Sequence, residues 1–345
     1  MHLVKVTEDR RRNNFTELER YDNCVAVDWA MTNMAIAVIR RDKKQMMTAD
    51  VPTDIFELKS FLRGLPGKTI VTFEESMGAH WLYLELKGIV DRVLVCDPFK
   101  NKLLSDGPKT DKIDAMKLCD LLRNGLLTEV FHTDDDRLYE LRRLVSAYDD
   151  IVKHGVRSQN QWYALIRGMG SKKNKLDDTT TFISSFIDRD ISFYEETKAA
   201  YEEKFENLCK TNRLLKALRS LDGIGPIRAV KILATVIEPK RFPTMGKYFA
   251  YCGLVRVEKT SGRKKYGTRK PHYNRMLKGI YNGAAMTVIN GNGPLREYYD
   301  HLLSRGVAEY NARVAVARYI ARLSLGILKT GERYQPYRWR KNKEK

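Results

Sequence analysis

Apolar positions fall into two rhythms along this chain. Between Cys24 and Pro98 they come in short, nearly continuous runs of strand length. "CVAVDWAMTNMAIAVIR" predicts a strand, a turn and a second strand, with Asp28 at the end of the first. "KTIVTFEES" predicts another strand that ends in a carboxylate, Glu74. "WLYLELKGIV" follows as a short amphipathic helix, and "DRVLVCDP" as a further strand closed by Pro98. Strands alternating with helices indicate an α/β domain. The next helix starts near Asp111 and runs to about Gly125. From about Leu138 to Leu215 the period changes to helical in two long charged stretches, separated by the polar "SKKNKLDDTTT". That pattern predicts an antiparallel helical hairpin or coiled coil. A third block opens at "LDGIGPIRAVKILATV" and ends in helical sequence near Leu328. The expected division is a flexible basic arm at 1–20, an α/β domain at 21–137, a helical hairpin at 138–215, a mainly α domain at 216–330 and a basic tail at 331–345.

Charge narrows the class of partner. The 345 residues carry 62 Lys and Arg against 43 Asp and Glu, a net charge of +19. Such a balance favours a polyanion, nucleic acid before membrane surfaces. No run of about 18 apolar residues occurs, so no membrane span is expected. The N-terminal stretch lacks the apolar core of a secretory signal, so a cytoplasmic location is expected. Five scattered cysteines with no CxxC pair indicate reduced thiols, and six dispersed histidines argue against a zinc site.

In a basic chain, the acidic residues with unusual placement attract attention. Asp28 and Glu74 close two strands, and Asp111 and Asp114 lie one turn apart at a helix start. Functional groups of α/β sheets gather beyond the strand ends, so the four are candidates to converge. Together they could not all stay ionised without cations, and hard oxygen donors suit Mg²⁺ or Mn²⁺. Two such ions about 3.5–4 Å apart would clamp the attacking and leaving oxygens of a phosphodiester exchange. Singly, each has a simpler explanation, because carboxylates cap helices and favour the N-terminal dipole. Glu75 stands as the alternative to Glu74.

The stretches "VAVDWA", "VTFEESMGAHWLY" and above all "KTDKIDAMKLCDLLRNGLL" resemble the RuvC-like (RNase H-like) domain of DEDD-class insertion-sequence transposases. That group includes RNA-guided bridge recombinases and relatives of the Piv-type DNA invertases. The later "LDGIGPIRAVKILATVIEPKRFPTMGKYFAYCGLV", with its following "SGRKKYG", is similar to the C-terminal transposase domain of the same family. The resemblance implies that Asp28, Glu74, Asp111 and Asp114 bind Mg²⁺. It implies that Ser261, in "EKTSGRKK", attacks a DNA phosphodiester and forms a phosphoserine link during strand exchange. It also implies a structured guide RNA, element-end and target DNA as partners, and a dimer that assembles to a tetramer. In that assembly the acidic cluster of one subunit completes the site around the serine of another, at the nucleoid of a prokaryotic cell. Thr244 stands in "RFPT" where relatives often have serine, and is not the expected nucleophile.

Read physically, Ser261 needs a base, a metal or strong anion stabilisation to act as a nucleophile. Gly262 beside it would let a phosphate approach closely, and Arg263, Lys264, Lys265, Arg269 and Lys270 would position phosphates. Tyr266, His272 and Tyr273 interleave with them. A solvated Ser-Gly turn explains the same residues without chemistry. Gly223 and Gly225 could offer backbone N–H groups to a phosphate at a helix N-terminus, or could serve only as a tight turn before Pro226. Three functions follow: a DNA transposase, a metal-dependent nuclease or junction resolvase in which Ser261 is idle, and a non-enzymatic nucleic-acid-binding protein.

Overall fold

The computed structural model describes residues 18–43, 45–98, 110–168, 177–261 and 264–336. Residues 1–17, Lys44, 99–109, 169–176, Gly262 with Arg263, and 337–345 lie outside the described residues. Chain contacts divide the protein into two compact units, Met1–Asp134 and Asp135–Lys345.

The first unit is α/β. Strands β1 (Asn23–Trp29), β2 (Asn33–Arg40), β3 (Met46–Pro52), β4 (Thr69–Glu74) and β5 (Arg92–Cys96) form one mixed sheet in the order β3-β2-β1-β4-β5. β1 pairs antiparallel with β2 and parallel with β4, so it is the centre of the sheet. Successive side chains of a strand point to opposite faces, and both faces are covered here. Val25, Val27, Val71, Phe73 and Val95 pack on the side of helices α1 (Ile55–Arg63) and α2 (Ala79–Leu86). Cys24, Ala26, Ile70 and Leu94 pack against helix α3 (Asp111–Arg123) through Leu118, Cys119 and Leu122. Burial on both faces explains why these strands read as apolar runs rather than as alternation. Strand β3 and helix α1 were not expected. β3 is an edge strand, "MMTADVP", only partly buried and ending in Pro52, and so carries neither signal.

The second unit is helical. Helix α4 (Asp136–Gly168) and helix α5 (Asp178–Thr211) run antiparallel, since Tyr148 meets Glu202 while Gly155 meets Tyr194. A Cβ at Gly155 would stand 2.2 Å from the Tyr194 ring, so this glycine sets how closely the two helices approach. The hairpin joins a larger core built by α6 (Arg213–Leu218), α7 (Pro226–Val236), α8 (Met245–Tyr251), α9 (Arg275–Ile289), α10 (Pro294–Ser304) and α11 (Glu309–Thr330). At its centre the hydroxyls of the fully buried Tyr248 and Tyr281 are 2.5 Å apart, each satisfying the other. A two-stranded hairpin, β6 (Val257–Ser261) and β7 (Lys264–Arg269), stands exposed between α8 and α9 in sequence. All five cysteines are free and buried. Among the described residues no helix is long and apolar enough to cross a membrane.

Candidate functional site

The sheet itself explains why Asp28 and Glu74 are neighbours. In the parallel β1–β4 register Cys24 faces Ile70 and Ala26 faces Thr72. Two residues further on, the same pairing brings Asp28 alongside Glu74, both on the face that α3 covers. Helix α3 starts at that end. Thr110 is its N-cap and accepts a hydrogen bond from the Ile113 backbone, which fixes the first turn and places Asp111 and Asp114 in it. The four carboxylates therefore come from two strand ends and one helix start.

Their mutual influence appears at Asp28, whose pKa is pushed up to about 6. Partial burial is the larger cause, and the negative charges of Asp111, Asp114 and Glu74 add to it. Glu75 does not contribute. Its carboxylate lies 2.6 Å from Nε2 of His132, whose ring is almost fully buried. That ring stacks on His80, centroids 5.7 Å apart. Adjacent carboxylates thus have different surroundings, and the geometry favours Glu74 over Glu75 as the member of the acidic cluster.

The donor set fits a hard divalent cation. Oδ1 of Asp114 is buried and takes no hydrogen bond among the described residues, which is costly unless a positive group meets it. At the same time, no three His, Cys, Asp or Glu side chains among the described residues are already closed around one point. Like charges splay when nothing positive lies between them, so a cluster that is coupled but open is what this charge arrangement gives.

Ser261 belongs to the second unit. It ends β6, is exposed, and faces Lys264 in the hairpin register. Among the described residues no side chain hydrogen-bonds to it. Lys264, Lys265 and Arg269 lie along β7, every residue of which is exposed; Lys265 pairs with Glu258 across the hairpin at 2.9 Å. Lys270 follows the strand, and Arg263 lies outside the described residues. Thr244 is committed elsewhere, as the N-cap of α8 bonded to the Lys247 backbone.

The two glycines of the turn differ. Gly223 has φ +80°, and a Cβ there would lie 2.8 Å from the Ala284 carbonyl oxygen of α9. Its carbonyl accepts from Arg228 at 2.6 Å. Gly223 is therefore required for helix packing, whatever else the turn does. Gly225 is exposed and caps α7 with open space around its Cα, which leaves it free to approach a phosphate. The Glu75–His132–His80 contact was missed in the sequence because 57 residues separate Glu75 from His132.

Comparison with known proteins gives the arrangement a context. Residues 25–170 match the transposase family of the DEDD type from IS110 elements, and residues 215–300 match the Transposase IS116/IS110/IS902 family. The chain is thus similar to both family models, one after the other along its sequence. The first match contains Asp28, Glu74, Asp111 and Asp114; the second contains Gly223, Gly225, Ser261 and the basic hairpin. An insertion element IS110 protein of Streptomyces coelicolor is 30% identical over 41% of this chain and 35% of its own length. An insertion element IS116 protein of Streptomyces clavuligerus is 27% identical over 32% of this chain and 28% of its own. The chain thus spans about a third of the length of these two relatives. A probable family 20 transposase of Pseudomonas aeruginosa is 23% identical over 81% of this chain and 89% of its own length.

Proposed function

We propose that the protein is a DNA transposase that cuts and exchanges strands through a phosphoserine intermediate, assisted by Mg²⁺ or Mn²⁺ at the acidic cluster. The observation that carries this reading is the convergence of Asp28, Glu74, Asp111 and Asp114, recorded in the raised Asp28, on a domain of the DEDD transposase type. Divalent ions held there would neutralise charge developing on the phosphoryl oxygens.

The protein's own residues divide the remaining work. Lys264, Lys265 and Arg269 bind DNA phosphates beside Ser261. Oγ of Ser261 attacks phosphorus; the bond from phosphorus to the 3′ oxygen breaks, and that oxygen leaves as a hydroxyl once protonated. The 3′ hydroxyl of the exchanged strand then reverses the step and releases the serine. The proton of the serine hydroxyl passes to a carboxylate of the acidic cluster. In this reading the α4–α5 hairpin pairs with its copy as a coiled coil to form a dimer that assembles further to a tetramer, the acidic cluster of one subunit serving the serine of another. A structured guide RNA selects the element-end and target DNA by base pairing, and the protein works in the cytoplasm at the nucleoid.

Ser261, exposed and without a side-chain hydrogen bond among the described residues, favours one competing reading, a metal-dependent nuclease that activates water. The two separate on a denaturing gel. Protein purified with its co-bound nucleic acid is incubated with element-end DNA and Mg²⁺, as wild type, Ser261→Ala and Asp111→Asn. A covalent protein–DNA adduct absent from both variants is expected. Free nicked DNA from wild type and Ser261→Ala alike, with no adduct, would establish the nuclease instead. Activity retained in Asp111→Asn would remove the acidic cluster from either mechanism.

A further inference from the structure

The second unit holds a cavity of about 350 Å³ that neither the acidic cluster nor the serine hairpin accounts for. It lies between α9 and α11, under the strap from Gly253 to Arg256. Lys278, Asn282 and Met286 of α9 line one side at helical spacing, and Tyr310, Arg313 and Arg318 of α11 line the other. Arg256 and Lys270 close the rim. The lining contains five cations and no carboxylate. Among the described residues, Arg256, Lys270 and Lys278 form no ion pair, whereas Arg318 is pinned through a 2.7 Å bond from Nε to the Leu254 carbonyl. The floor is apolar, from Leu254, Ala285 and Val314, and Tyr310 is 67% exposed at the entrance. A second basic and aromatic hollow, lined by Arg256, Arg318, Tyr319 and Arg322, continues on the other side of the strap.

We propose that this cavity receives one unpaired base of a single-stranded polynucleotide, with the flanking phosphates held by Arg256, Lys270 and Lys278. The inference rests on the reading of the protein as a nucleic-acid enzyme and deepens it. Cations alone would suit a duplex, whose phosphates meet a convex or flat surface while its bases stay stacked. A concave site whose cations surround an apolar floor, a tyrosine face and two amides (Asn282 and Asn311) matches a splayed-out base instead. The volume lies within the roughly 300–1,000 Å³ range of small-ligand pockets. DNA and RNA share this chemistry: a displaced strand or a loop of bound RNA would both fit.

The test is fluorescence anisotropy with the full-length protein and four labelled probes. These are single-stranded DNA, single-stranded RNA of the same sequence, an abasic strand of equal length, and duplex DNA. Wild type should bind both base-carrying strands more tightly than the abasic one. Tyr310→Ala, a change at an exposed position, should weaken binding of base-carrying strands about 5- to 150-fold, the loss of one stacked base, and leave abasic and duplex probes unchanged. Arg256→Gln and Lys278→Gln should each lower the salt slope for single strands by about 0.7. Either ranking of DNA and RNA supports the pocket and identifies the strand it serves. Equal affinity of wild type for base-carrying and abasic strands would overturn the proposal, as would an equal effect of Tyr310→Ala on the duplex. If duplex element ends still bind in that case, the transposase reading stands while the pocket falls; no binding to any probe would overturn both.

Discussion

Asp28 and Glu74 stand on the ends of strands buried on both faces, and Asp111 and Asp114 on a helix whose start is fixed by Thr110. Ser261 ends a strand exposed along its whole length, in a hairpin held by an exposed Lys265–Glu258 pair. The acidic side is built into a core and the serine side onto a surface. A surface ion pair contributes little, at most about 1 kcal/mol. On the proposed mechanism the carboxylates would be held in place by the fold, and the serine would be ordered by the DNA it meets. That contrast makes specific claims about what each substitution disturbs.

The largest effect is expected on chemistry. Asp114→Asn removes a charge from the cluster and should lower Mg²⁺-dependent strand cleavage by at least about 10²–10³-fold, measured on element-end DNA. Its thermal stability should not fall, since the buried Oδ1 has no protein partner to lose among the described residues. A variant that loses stability and activity in parallel would show that Asp114 is a packing residue.

Next come the close approaches. Gly155→Ala forces a Cβ into the Tyr194 ring and should destabilise the second unit by about 1–3 kcal/mol in urea denaturation. His132→Ala leaves Glu75 without its partner and opens space beneath His80, with a cost of about 1.5–3 kcal/mol. If the His132 contact also holds the end of β4, cleavage should fall with it and recover partly in His132→Gln, which can still donate to Glu75.

A smaller effect has a definite sign with pH. Asp28 has a folded pKa raised to about 6 from 3.8, so the folded state binds its proton more readily than the unfolded chain does. Its contribution to stability is fully present below about 3.8 and is lost as pH rises through about 6. Without metal, Asp28→Asn should therefore stabilise the protein at pH 7.5 by about 1–2 kcal/mol, a figure reduced for solvent screening, and by much less at pH 4. The same variant should be inactive, which is the behaviour of a strained functional group.

The smallest effect is expected at the serine. Ser261→Ala should change stability by no more than about 0.5 kcal/mol while removing the covalent adduct. A marked loss of stability would mean that the hairpin is packed more firmly than its exposure indicates.

What could be read from the sequence follows the same division. Strands β1, β2, β4 and β5 and the long helices were legible, because apolar runs ended by Gly, Pro or charge report burial directly. The positions of Asp28 and Glu74 at strand ends, and of the two aspartates at a helix start, were legible for that reason. Strand β3 was not, since none of its residues is fully buried, and the β6–β7 hairpin was not, since its lysines and threonines bury nothing. Gly223 read as a phosphate contact or a tight turn, and its close neighbour is the α9 backbone, a tertiary contact 61 positions away that no local pattern records. His132 and His80 looked dispersed because their meeting depends on the chain returning past β5.

The claim on which the rest depends is that four carboxylates act as one cation site. Mn²⁺ binding followed by electron paramagnetic resonance, on wild type and Asp114→Asn at pH 7.5 and 5, tests it most directly. The account predicts saturable binding to wild type at pH 7.5, weaker binding at pH 5 as Asp28 takes up its proton, and loss of the site in the variant. Equal Mn²⁺ binding by both proteins, or no binding by wild type, would contradict it.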